Sequence, residues 1–334
     1  MSGDLVGGYD LVIFDLDGVV YLIDKPIPGA PEAIEQLRQR KTAVAYATNN
    51  ASRRAAAVAD LLTGMGVPAQ PAEVLTSAGA SAAVLAEKLP AGAPVLVVGA
   101  DALRDEVSEA GLTVVESAGD KPAAVVQGFG PDVGWQVLSE ASLAIRAGAL
   151  WVATNTDRTL PSPRGPLPGN GSLVAVLRTA LDREPDLVVG KPEPALFTTA
   201  ATQAKAEHPL AVGDRLDTDI QGAVTSGVDS LLVLTGVSSP ADLLAAEESR
   251  RPTYVSADLS ALFRPAEEAT VPLQADQAAG WTVTREGDTA TLDGAGDPVV
   301  ALRLLCAVTW SGVAVPALRP NSDAARKLLE SWNL

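Results

Sequence analysis

Carboxylates that follow two apolar runs are the residues of this sequence best placed to do chemistry. Asp15 and Asp17 follow the run LVIF, and Asp214 and Asp219 lie in the segment GDRLDTD, which ends a second apolar run. Side chains at positions i and i+2 of a strand point to the same side, so Asp15 and Asp17 are expected to converge on one site. Two carboxylate clusters without nearby histidine are typical of a magnesium site, because Mg²⁺ prefers oxygen ligands.

Simpler interpretations of these acids stay open at this point. A strand that ends in a polar turn also produces a DxDG segment, and Asp219 is also placed to cap the helical segment QGAVTSG. A calcium-binding loop is excluded. Counted from Asp15, its sixth position is Val20 instead of glycine and its twelfth is Pro26 instead of glutamate.

Two further polar groups also follow apolar runs. Thr48, Asn49 and Asn50 end the run TAVAYATN. Their hydroxyl and amides are placed either to cap the next helix or to bind a phosphate at its N-terminus. Lys191 stands in GKPEP, where the simplest interpretation is a solvated surface lysine. A P-loop is excluded, because Pro185 occupies the position of its first glycine and a proline follows the lysine where Ser or Thr is required.

The composition narrows the chemistry further. The 334 residues contain 25 Lys and Arg against 41 Asp and Glu, which gives a formal net charge of -16. The single cysteine, Cys306, permits no intrachain disulfide and no multi-cysteine zinc site, and the single histidine, His208, permits no His-rich metal site. The acidic balance argues against nucleic-acid binding, which depends on Lys and Arg. We expect His208 at the surface and Cys306 in an apolar helix.

Alternating strands and helices are expected to position these residues. Short β-branched runs alternate with Ala/Leu-rich stretches over the first ~260 residues, a pattern that indicates a parallel α/β sheet. Ligands bind such sheets at the carboxyl ends of the strands. The strands predicted for this sheet are residues 11–17, 42–49, 186–192, 209–215 and 230–236.

The middle of the chain predicts a second α/β module, and the end predicts a small α+β unit. The module has strands at 94–100, 112–116, 123–129 and 150–155, helices at 101–110 and 134–147, and a Pro/Gly-rich loop at 156–172 before a helix at 173–183. The final unit has strands at 281–285 and 289–293, helices at 297–308 and 322–332, a short strand near Val313, and a core containing Trp281, Trp310 and Trp332.

Four motifs, in this order, resemble those of the haloacid dehalogenase superfamily of phosphatases. They are DLDGV, a strand-terminal TNN, GKP and GDRLDTDI, and the resemblance covers about residues 9–262. Thr48 lies only 31 positions after Asp17, whereas Lys191 lies 143 positions after Thr48, so a cap domain is expected between the second and third motifs.

Three further segments, DGVVYLIDKPIPGA, ATNTDRTLP and PGNGSL, resemble one group within this superfamily. The group contains 4-nitrophenyl phosphatases, phosphoglycolate phosphatases, pyridoxal phosphatases and ribonucleotide monophosphatases. Within it the chain is most similar to a glycerol 3-phosphate phosphatase with an extra C-terminal domain.

The fold implied by this resemblance is α/β. It has a Rossmann-like parallel-sheet core of the haloacid dehalogenase type (1–79 and 185–263), an inserted α/β cap domain (80–184), a linker (264–272) and a small α+β C-terminal domain (273–334). The C-terminal domain resembles a truncated acetyltransferase. Its segment QAAGWT matches an acyl-CoA loop only in part, so no acetyl transfer is expected.

The resemblance also implies a Mg²⁺-dependent phosphoric monoester hydrolase that works through an aspartyl-phosphate. Asp15 would be the nucleophile and Asp17 the general acid/base. The implied metal ligands are Asp15, the backbone carbonyl of Asp17, and Asp214, with Asp219 orienting a metal-bound water. The implied substrate-binding residues are Thr48, Asn49, Asn50 and Lys191, together with Arg158 and Leu160 in the cap.

Glycerol 3-phosphate is the expected substrate, and phosphoglycolate, a nucleotide or pyridoxal phosphate is the alternative. A non-catalytic sugar-phosphate-binding or scaffold protein would keep the same fold. The N-terminal segment MSGDLVGGYD is acidic and does not predict a signal peptide. We therefore expect a cytoplasmic protein that binds a small-molecule phosphate ester and contacts neither nucleic acid nor membrane. The group that the chain resembles often forms homodimers through the cap, and no residue pattern in this sequence fixes the oligomeric state.

Overall fold

The computed structural model describes residues 3–311 and 317–334, and the chain divides into two compact units. Unit 1 comprises Met1–Val20, Ile27–Ala43 and Ala206–Leu334, and unit 2 comprises Tyr21–Pro26 and Val44–Lys205. Residues 44–79 and 185–205, which the sequence assigns to the core domain, group with unit 2. The predicted domain bounds stay a prediction. Strands and helices are numbered below along the whole chain.

Four parallel strands of unit 1 lie side by side in the order β15, β14, β13, β1. They are β1 (Leu11–Phe14), β13 (Pro209–Gly213), β14 (Asp229–Val233) and β15 (Tyr254–Ser256). Every residue of β1 is buried, as expected for a strand covered on both faces. The predicted strands at 11–17, 209–215 and 230–236 are thereby confirmed, each with a shorter extent.

Helices of unit 1 cover this sheet. They are α1 (Ala30–Gln39), α8 (Gln221–Thr225) and α9 (Pro240–Leu244). In α1 the buried residues are Ala30, Ala33, Ile34 and Leu37, the spacing of one helical face. A proline in the first turn of α1 begins the helix without loss of a backbone hydrogen bond.

The C-terminal part of unit 1 is a four-stranded sheet with two helices. Its elements are β16 (Gln277–Ala278), β17 (Trp281–Glu286), β18 (Thr289–Gly294), α10 (Pro298–Thr309), β19 (Ala317–Pro320) and α11 (Asp323–Ser331). The predicted strand near Val313 lies outside the described residues. Trp281, Trp332 and Cys306 are buried in one apolar cluster with residues of the parallel sheet, such as Leu232, and Trp310 packs against it. The C-terminal domain therefore packs on the parallel sheet of unit 1.

The segment predicted as a linker, 264–272, is held by backbone and side-chain contacts. Val255 N–H donates to the carbonyl of Ala269, and Val271 N–H donates to the carbonyl of Thr253. The buried guanidinium of Arg303, in α10, donates to the carbonyls of Glu267, Glu268 and Thr270. These bonds fix the segment between β15 and the C-terminal domain.

Unit 2 contains a five-stranded parallel sheet with the strand order β12, β9, β8, β6, β7. These strands are β6 (Pro94–Val98), β7 (Thr113–Val115), β8 (Ala124–Gln127), β9 (Leu150–Ala153) and β12 (Leu187–Val188). Of the predicted strand 186–192 only two half-buried residues are extended, and they pair with β9. The prediction of a long buried core strand there is wrong, because the strand ends at Val188, ahead of Gly190 and Pro192.

Smaller strand pairs and six helices complete unit 2. The pairs are β2 (Tyr21–Leu22) with β3 (Lys25–Pro26), β4 (Ala43–Thr48) with β5 (Val74–Thr76), and β10 (Thr159–Leu160) with β11 (Leu167–Pro168). The helices are α2 (Ala55–Gly64), α3 (Ser77–Lys88), α4 (Asp101–Glu109), α5 (Trp135–Arg146), α6 (Asn170–Leu181) and α7 (Ala195–Ala204). The Pro/Gly-rich loop therefore contains a short hairpin, and its helix begins at Asn170, before the predicted start.

Across the described stretches 3–311 and 317–334, no helix combines the length and the apolar character that crossing a membrane requires.

Candidate active site

Three carboxylates meet at the carboxyl ends of β1 and β13. These strands are parallel neighbours, with Phe14 opposite Val212, so the residues that follow them emerge at the same edge. Asp15 continues the pairing by donating its N–H to the carbonyl of Val212 at 2.8 Å. Asp15, Asp214 and Asp219 each place a carboxylate oxygen within 4.8 Å of the others. The predicted convergence of the two acidic motifs is therefore present in the fold.

This carboxylate group fits a divalent cation. Asp214 is fully buried and Asp219 is 3% exposed, so their negative charges lie away from water. Grouped carboxylates in a buried setting repel one another unless a cation offsets them. Oxygen-only ligands suit Mg²⁺ or Ca²⁺, and the described residues of the group include no sulfur or imidazole that would favour a softer metal.

Asp219 accepts hydrogen bonds from the loop that precedes it. One of its oxygens, Oδ2, accepts hydrogen bonds from the backbone N–H groups of Asp214 (3.2 Å) and Arg215 (3.1 Å). It lies in the π-helical turn Leu216–Ile220, whose wide geometry turns its side chain back toward β13. The interpretation of Asp219 as a cap of the following helix is wrong, because the amides that it accepts from precede it in the chain.

Asp214 is oriented by a loop that follows β14. Its Oδ2 accepts a hydrogen bond of 2.6 Å from the N–H of Val237. A Cβ at Gly236 would lie 1.9 Å from the same oxygen, so only glycine lets the backbone approach so closely. Gly18, with a φ of +88°, approaches the same oxygen: a Cβ there would lie 2.6 Å from Asp214 Oδ2. Thr235 Oγ1 donates to the carbonyl of Gly18 at 2.6 Å.

Asp17 lies outside this group of three. The strand β1 ends at Phe14, so the alternation of side chains along a strand does not extend to Asp15 and Asp17. Asp17 is half-buried two residues beyond Asp15 and just before the left-handed turn at Gly18. Asp17 is predicted to bind the metal through its backbone carbonyl. The distances between the three carboxylates do not test that prediction.

A separate polar network in unit 2 surrounds the end of β4. Thr48 is 3% exposed, and its Oγ1 accepts a bond from Asn50 N–H at 3.1 Å. Asn50 Oδ1 in turn accepts from Ser52 N–H at 2.7 Å. The residue before α2 is Arg54, with no side-chain cap. The interpretation of TNN as a helix cap is therefore wrong, because its side chains stabilise turns ahead of the helix.

Asn49 ties three segments of unit 2 together. Its Nδ2 donates to Asp157 Oδ2 at 3.1 Å and to the carbonyl of Lys191 at 3.0 Å. Its own carbonyl accepts from Ser77 Oγ at 2.6 Å and from Asn155 Nδ2 at 2.7 Å. The side-chain amide of Asn49 therefore holds the ends of β4 and β12 and the loop after β9 in place.

Lys191 is a buried lysine. Its side chain is 3% exposed, and Nζ donates to the carbonyl of Ala47 at 2.8 Å. The interpretation of a solvated surface lysine is wrong. A buried ammonium is costly without anionic partners, so this position favours a role beside a negatively charged group.

The two predicted cap residues lie on the hairpin of the long loop. Arg158 is exposed, and its carbonyl accepts from Gly169 N–H at 2.9 Å and Ser172 Oγ at 2.7 Å. Leu160 is half-buried and pairs with Leu167. These backbone contacts fix the base of the hairpin and leave the Arg158 side chain at the surface.

Sequence reasoning missed several residues that support the carboxylate group of unit 1 and the polar network of unit 2. In unit 1 these are Thr235, Gly236, Val237 and Ser238, for which the signal is a Thr-Gly pair shortly after the buried strand β14. In unit 2 they are Ser77, Asn155, Asp157 and Asn170, of which three lie in the quoted segments ATNTDRTLP and PGNGSL.

Sequence models of known families match three parts of the chain. The family described as haloacid dehalogenase-like hydrolase matches residues 12–113, and the one described as HAD-hydrolase-like matches residues 188–262. A family described as GCN5-related N-acetyltransferase like domain matches residues 278–334. The predicted likeness of the C-terminal segment to an acetyltransferase is confirmed by this match.

Characterised relatives match most of the chain. It is 43% identical to D-glycerol 3-phosphate phosphatase of Mycobacterium tuberculosis, over 98% of this chain and 94% of that protein. It is 35% identical to acid sugar phosphatase of Staphylococcus haemolyticus, over 75% of this chain and 94% of that protein.

Solved structures give the same assignment. The crystal structure of glycerol phosphate phosphatase from M. tuberculosis in complex with magnesium is 43% identical, with a TM-score of 0.91 over 99% of both chains. That of 4-nitrophenylphosphatase from Thermotoga maritima is 31% identical, with a TM-score of 0.70 over 77% of this chain and 97% of that one. With the carboxylate group at the end of its parallel strands, the chain belongs to the haloacid dehalogenase superfamily of hydrolases, in the group of the 4-nitrophenylphosphatase-type enzymes.

Proposed function

We propose that this chain is a Mg²⁺-dependent phosphatase that hydrolyses glycerol 3-phosphate through an aspartyl-phosphate on Asp15. The class of enzyme, phosphoric monoester hydrolase, follows from the family and from its named phosphatase relatives. The observation that supports the proposal is the group formed by Asp15, Asp214 and Asp219 at one sheet edge, whose carboxylates fit a nucleophile beside a cation site. The substrate is proposed from the relative of M. tuberculosis.

Asp15 is proposed as the nucleophile and Asp17 as the general acid/base. A carboxylate oxygen of Asp15 forms a bond to phosphorus as the bond between phosphorus and the ester oxygen breaks, and Asp17 gives its proton to the leaving alkoxide. Asp17 then takes a proton from the water that attacks the aspartyl-phosphate, which releases inorganic phosphate and restores Asp15. The nucleophile needs no histidine to activate it, because an ionised carboxylate has no proton to lose before it attacks.

The proposed metal ligands are Asp15, the backbone carbonyl of Asp17, and Asp214, with Asp219 outside the first coordination sphere. The hydrogen bonds that Asp219 accepts from the N–H groups of Asp214 and Arg215 support this outer role, because they occupy one of its oxygens. When bound, Mg²⁺ offsets the repulsion between the carboxylates and the phosphate dianion and polarises a phosphoryl oxygen.

Lys191, Thr48, Asn49 and Asn50 are proposed to bind the phosphoryl group. Burial of the Lys191 ammonium supports its role as the cation for the transferred group. The Thr48 hydroxyl is proposed as a neutral donor. The Asn50 N–H is proposed as a second donor, which would leave Thr48 Oγ1 to reach the phosphoryl group. For Asn49 we propose a positioning role in addition, because its amide bonds the carbonyl of Lys191 and the carboxylate of Asp157.

Arg158 and Leu160 are proposed to contact the part of the substrate beyond the phosphate. The exposed Arg158 side chain, on a hairpin fixed at its base, supports contact with hydroxyl groups, and Leu160 supplies an apolar surface that suits a small substrate. The alternatives phosphoglycolate, a nucleotide and pyridoxal phosphate differ from glycerol phosphate in charge or size, so they are the natural competitors to assay.

The test is release of inorganic phosphate from a substrate panel in the presence of Mg²⁺. The panel comprises 4-nitrophenyl phosphate, glycerol 3-phosphate, phosphoglycolate, a nucleoside monophosphate and pyridoxal phosphate. We expect the highest kcat/KM for glycerol 3-phosphate, loss of turnover with a chelator, and no turnover by Asp15→Asn. Binding of these esters without any hydrolysis would instead support the sugar-phosphate-binding or scaffold function.

Two properties of the whole protein are proposed from its composition and family. A cytoplasmic location accords with the single cysteine, because cytosolic proteins rarely form disulfides. A homodimer through the cap is proposed from the resemblance. Sedimentation of the purified chain tests the dimer, and fractionation of the producing cells tests the location.

A further inference from the structure

The loop that orients Asp214 is bound on several sides. We call residues 234–239, which follow β14, the Asp214 loop. In it, Val237 N–H donates to Asp214 Oδ2 at 2.6 Å, and Ser238 N–H donates to the carbonyl of Asp214 at 3.0 Å. Ser238 Oγ accepts from Leu216 N–H at 3.0 Å. A displacement of this loop therefore displaces the Asp214 carboxylate.

The Asp214 loop continues without interruption into α9. Ser239 is the N-cap of that helix, and its hydroxyl accepts from Asp242 N–H at 3.2 Å. The Asp242 carboxylate accepts in return from Ser239 N–H at 2.8 Å, which completes a capping box. Because the cap joins them rigidly, the loop takes the position that α9 imposes.

The position of α9 is set by the C-terminal domain. Leu243 and Leu244 are buried in the apolar cluster that α10 and its sheet form. The indole Nε1 of Trp310, the residue after α10, donates to the carbonyl of Leu243 at 3.1 Å. The guanidinium of Arg251 lies 5.0 Å from the centre of the Trp310 ring, and Arg251 Nε donates to the carbonyl of Ala246. The indole is therefore held through its N–H and through one face of its ring.

We propose that Trp310 is a positioning residue for the metal site. Through Leu243 the C-terminal domain fixes α9 and the Asp214 loop, and so sets the affinity of the protein for Mg²⁺. The acetyltransferase-like domain thus stabilises the position of the loop that orients Asp214. This inference rests on the proposed function, because it takes Asp214 as a metal ligand.

The test is calorimetric titration of the full chain with Mg²⁺, without substrate. Trp310→Phe removes the indole N–H and keeps an aromatic ring beneath Arg251. A hydrogen bond of this kind corresponds to about a fivefold change in an equilibrium constant, so we expect Mg²⁺ to bind about fivefold more weakly. At saturating Mg²⁺, kcat is expected within about twofold of wild type, because Trp310 touches no reacting atom.

Trp281→Phe is the matched control. Trp281 is also in the C-terminal domain and its Nε1 donates to the carbonyl of Asp297 at 3.0 Å, a bond of the same kind that does not involve α9. We expect this variant to lose a similar amount of thermal stability and to keep the wild-type Mg²⁺ affinity. Arg251→Lys, which weakens the support of the Trp310 ring, is a second variant on the α9 contact and is expected to weaken Mg²⁺ binding as well.

The outcomes separate this inference from the proposed function. A wild-type chain that does not bind Mg²⁺ overturns the proposed function itself. Wild-type binding of Mg²⁺ together with unchanged affinity in Trp310→Phe and Arg251→Lys overturns only the role of Trp310. Equal weakening in Trp281→Phe also overturns it, because the effect would then reflect stability in general.

Discussion

Replacing Gly236 by alanine is expected to remove most of the Mg²⁺ affinity of the site. A Cβ at this position would lie 1.9 Å from Asp214 Oδ2 and 2.5 Å from Asp214 Cγ. Real Cβ atoms essentially never come within 3.0 Å of such a neighbour. Asp214 or the loop must therefore move by about 1 Å, whereas metal ligands tolerate displacements of about 0.2 Å. We expect Mg²⁺ to bind about 100-fold more weakly. The overpacked variant is also expected to lose about 1–3 kcal/mol of stability.

The assay is calorimetric titration with Mg²⁺, supported by the Mg²⁺ concentration that gives half-maximal phosphatase activity. The backbone of Gly236 is outside the left-handed region, so the clash with Asp214 is the main effect of the change. Gly64→Ala is the matched control: Gly64 ends α2, and a Cβ there meets no atom within 4 Å. Binding of Mg²⁺ to Gly236→Ala within about threefold of wild type would refute the assignment of Asp214 as a metal ligand.

Three further predictions concern buried groups. Lys191→Met keeps an unbranched apolar side chain and removes the ammonium, so kcat/KM is expected to fall about 100-fold or more. The control is Lys88→Met at an exposed position, which is expected to keep the wild-type kcat/KM. Comparable activity of the two variants would contradict the proposed role of Lys191. Arg303→Met leaves three backbone carbonyls without their guanidinium donors, so the free energy of unfolding measured with denaturant is expected to fall by about 3 kcal/mol. An unchanged denaturant midpoint would contradict a stabilising role of these hydrogen bonds. Burial raises the pKa of the Cys306 thiol far above its ordinary value, so a thiol reagent is expected to label Cys306 at neutral pH only after unfolding, and rapid labelling of the native protein would show the burial to be wrong.

The sequence predicted the parts of the site that depend on strand ends. Asp15 and Asp214 follow apolar runs that are too strongly β-forming to be anything but strands, and parallel pairing brings such ends together. The order of the four motifs added the roles that single residues do not reveal. This logic extends to the helices and strands of the C-terminal domain, where alternation and helical spacing are clear.

Other parts of the site depend on burial and close approach, which spacing does not encode. Nothing in GKPEP distinguishes a buried Lys191 from a surface lysine, because its environment comes from segments distant in sequence, such as Ala47. The same is true of Gly236, whose need for a missing side chain arises from its contact with Asp214, 22 positions away in sequence. Asp219 turns back because of a π-helical turn, a geometry that has no simple sequence pattern.

The contribution of the C-terminal domain was also invisible in the sequence. Its match to an acetyltransferase-like family suggests an independent module, yet its apolar residues form one cluster with those of the parallel sheet. The buried guanidinium of Arg303 donates hydrogen bonds to backbone carbonyls of the predicted linker. Such carbonyls are present whatever side chains stand at 267–270. Such contacts are set by tertiary packing and are predictable only once the fold is known.

Covalent catalysis by Asp15 is tested most directly by trapping the aspartyl-phosphate intermediate. The chain is mixed with Mg²⁺ and glycerol 3-phosphate, quenched in acid within milliseconds, digested and examined by mass spectrometry. We predict one phosphoryl group on Asp15 of the wild-type chain and none on the Asp15→Asn variant. Steady turnover with the phosphoryl group on another residue, or turnover by Asp15→Asn at the wild-type rate, would contradict the account.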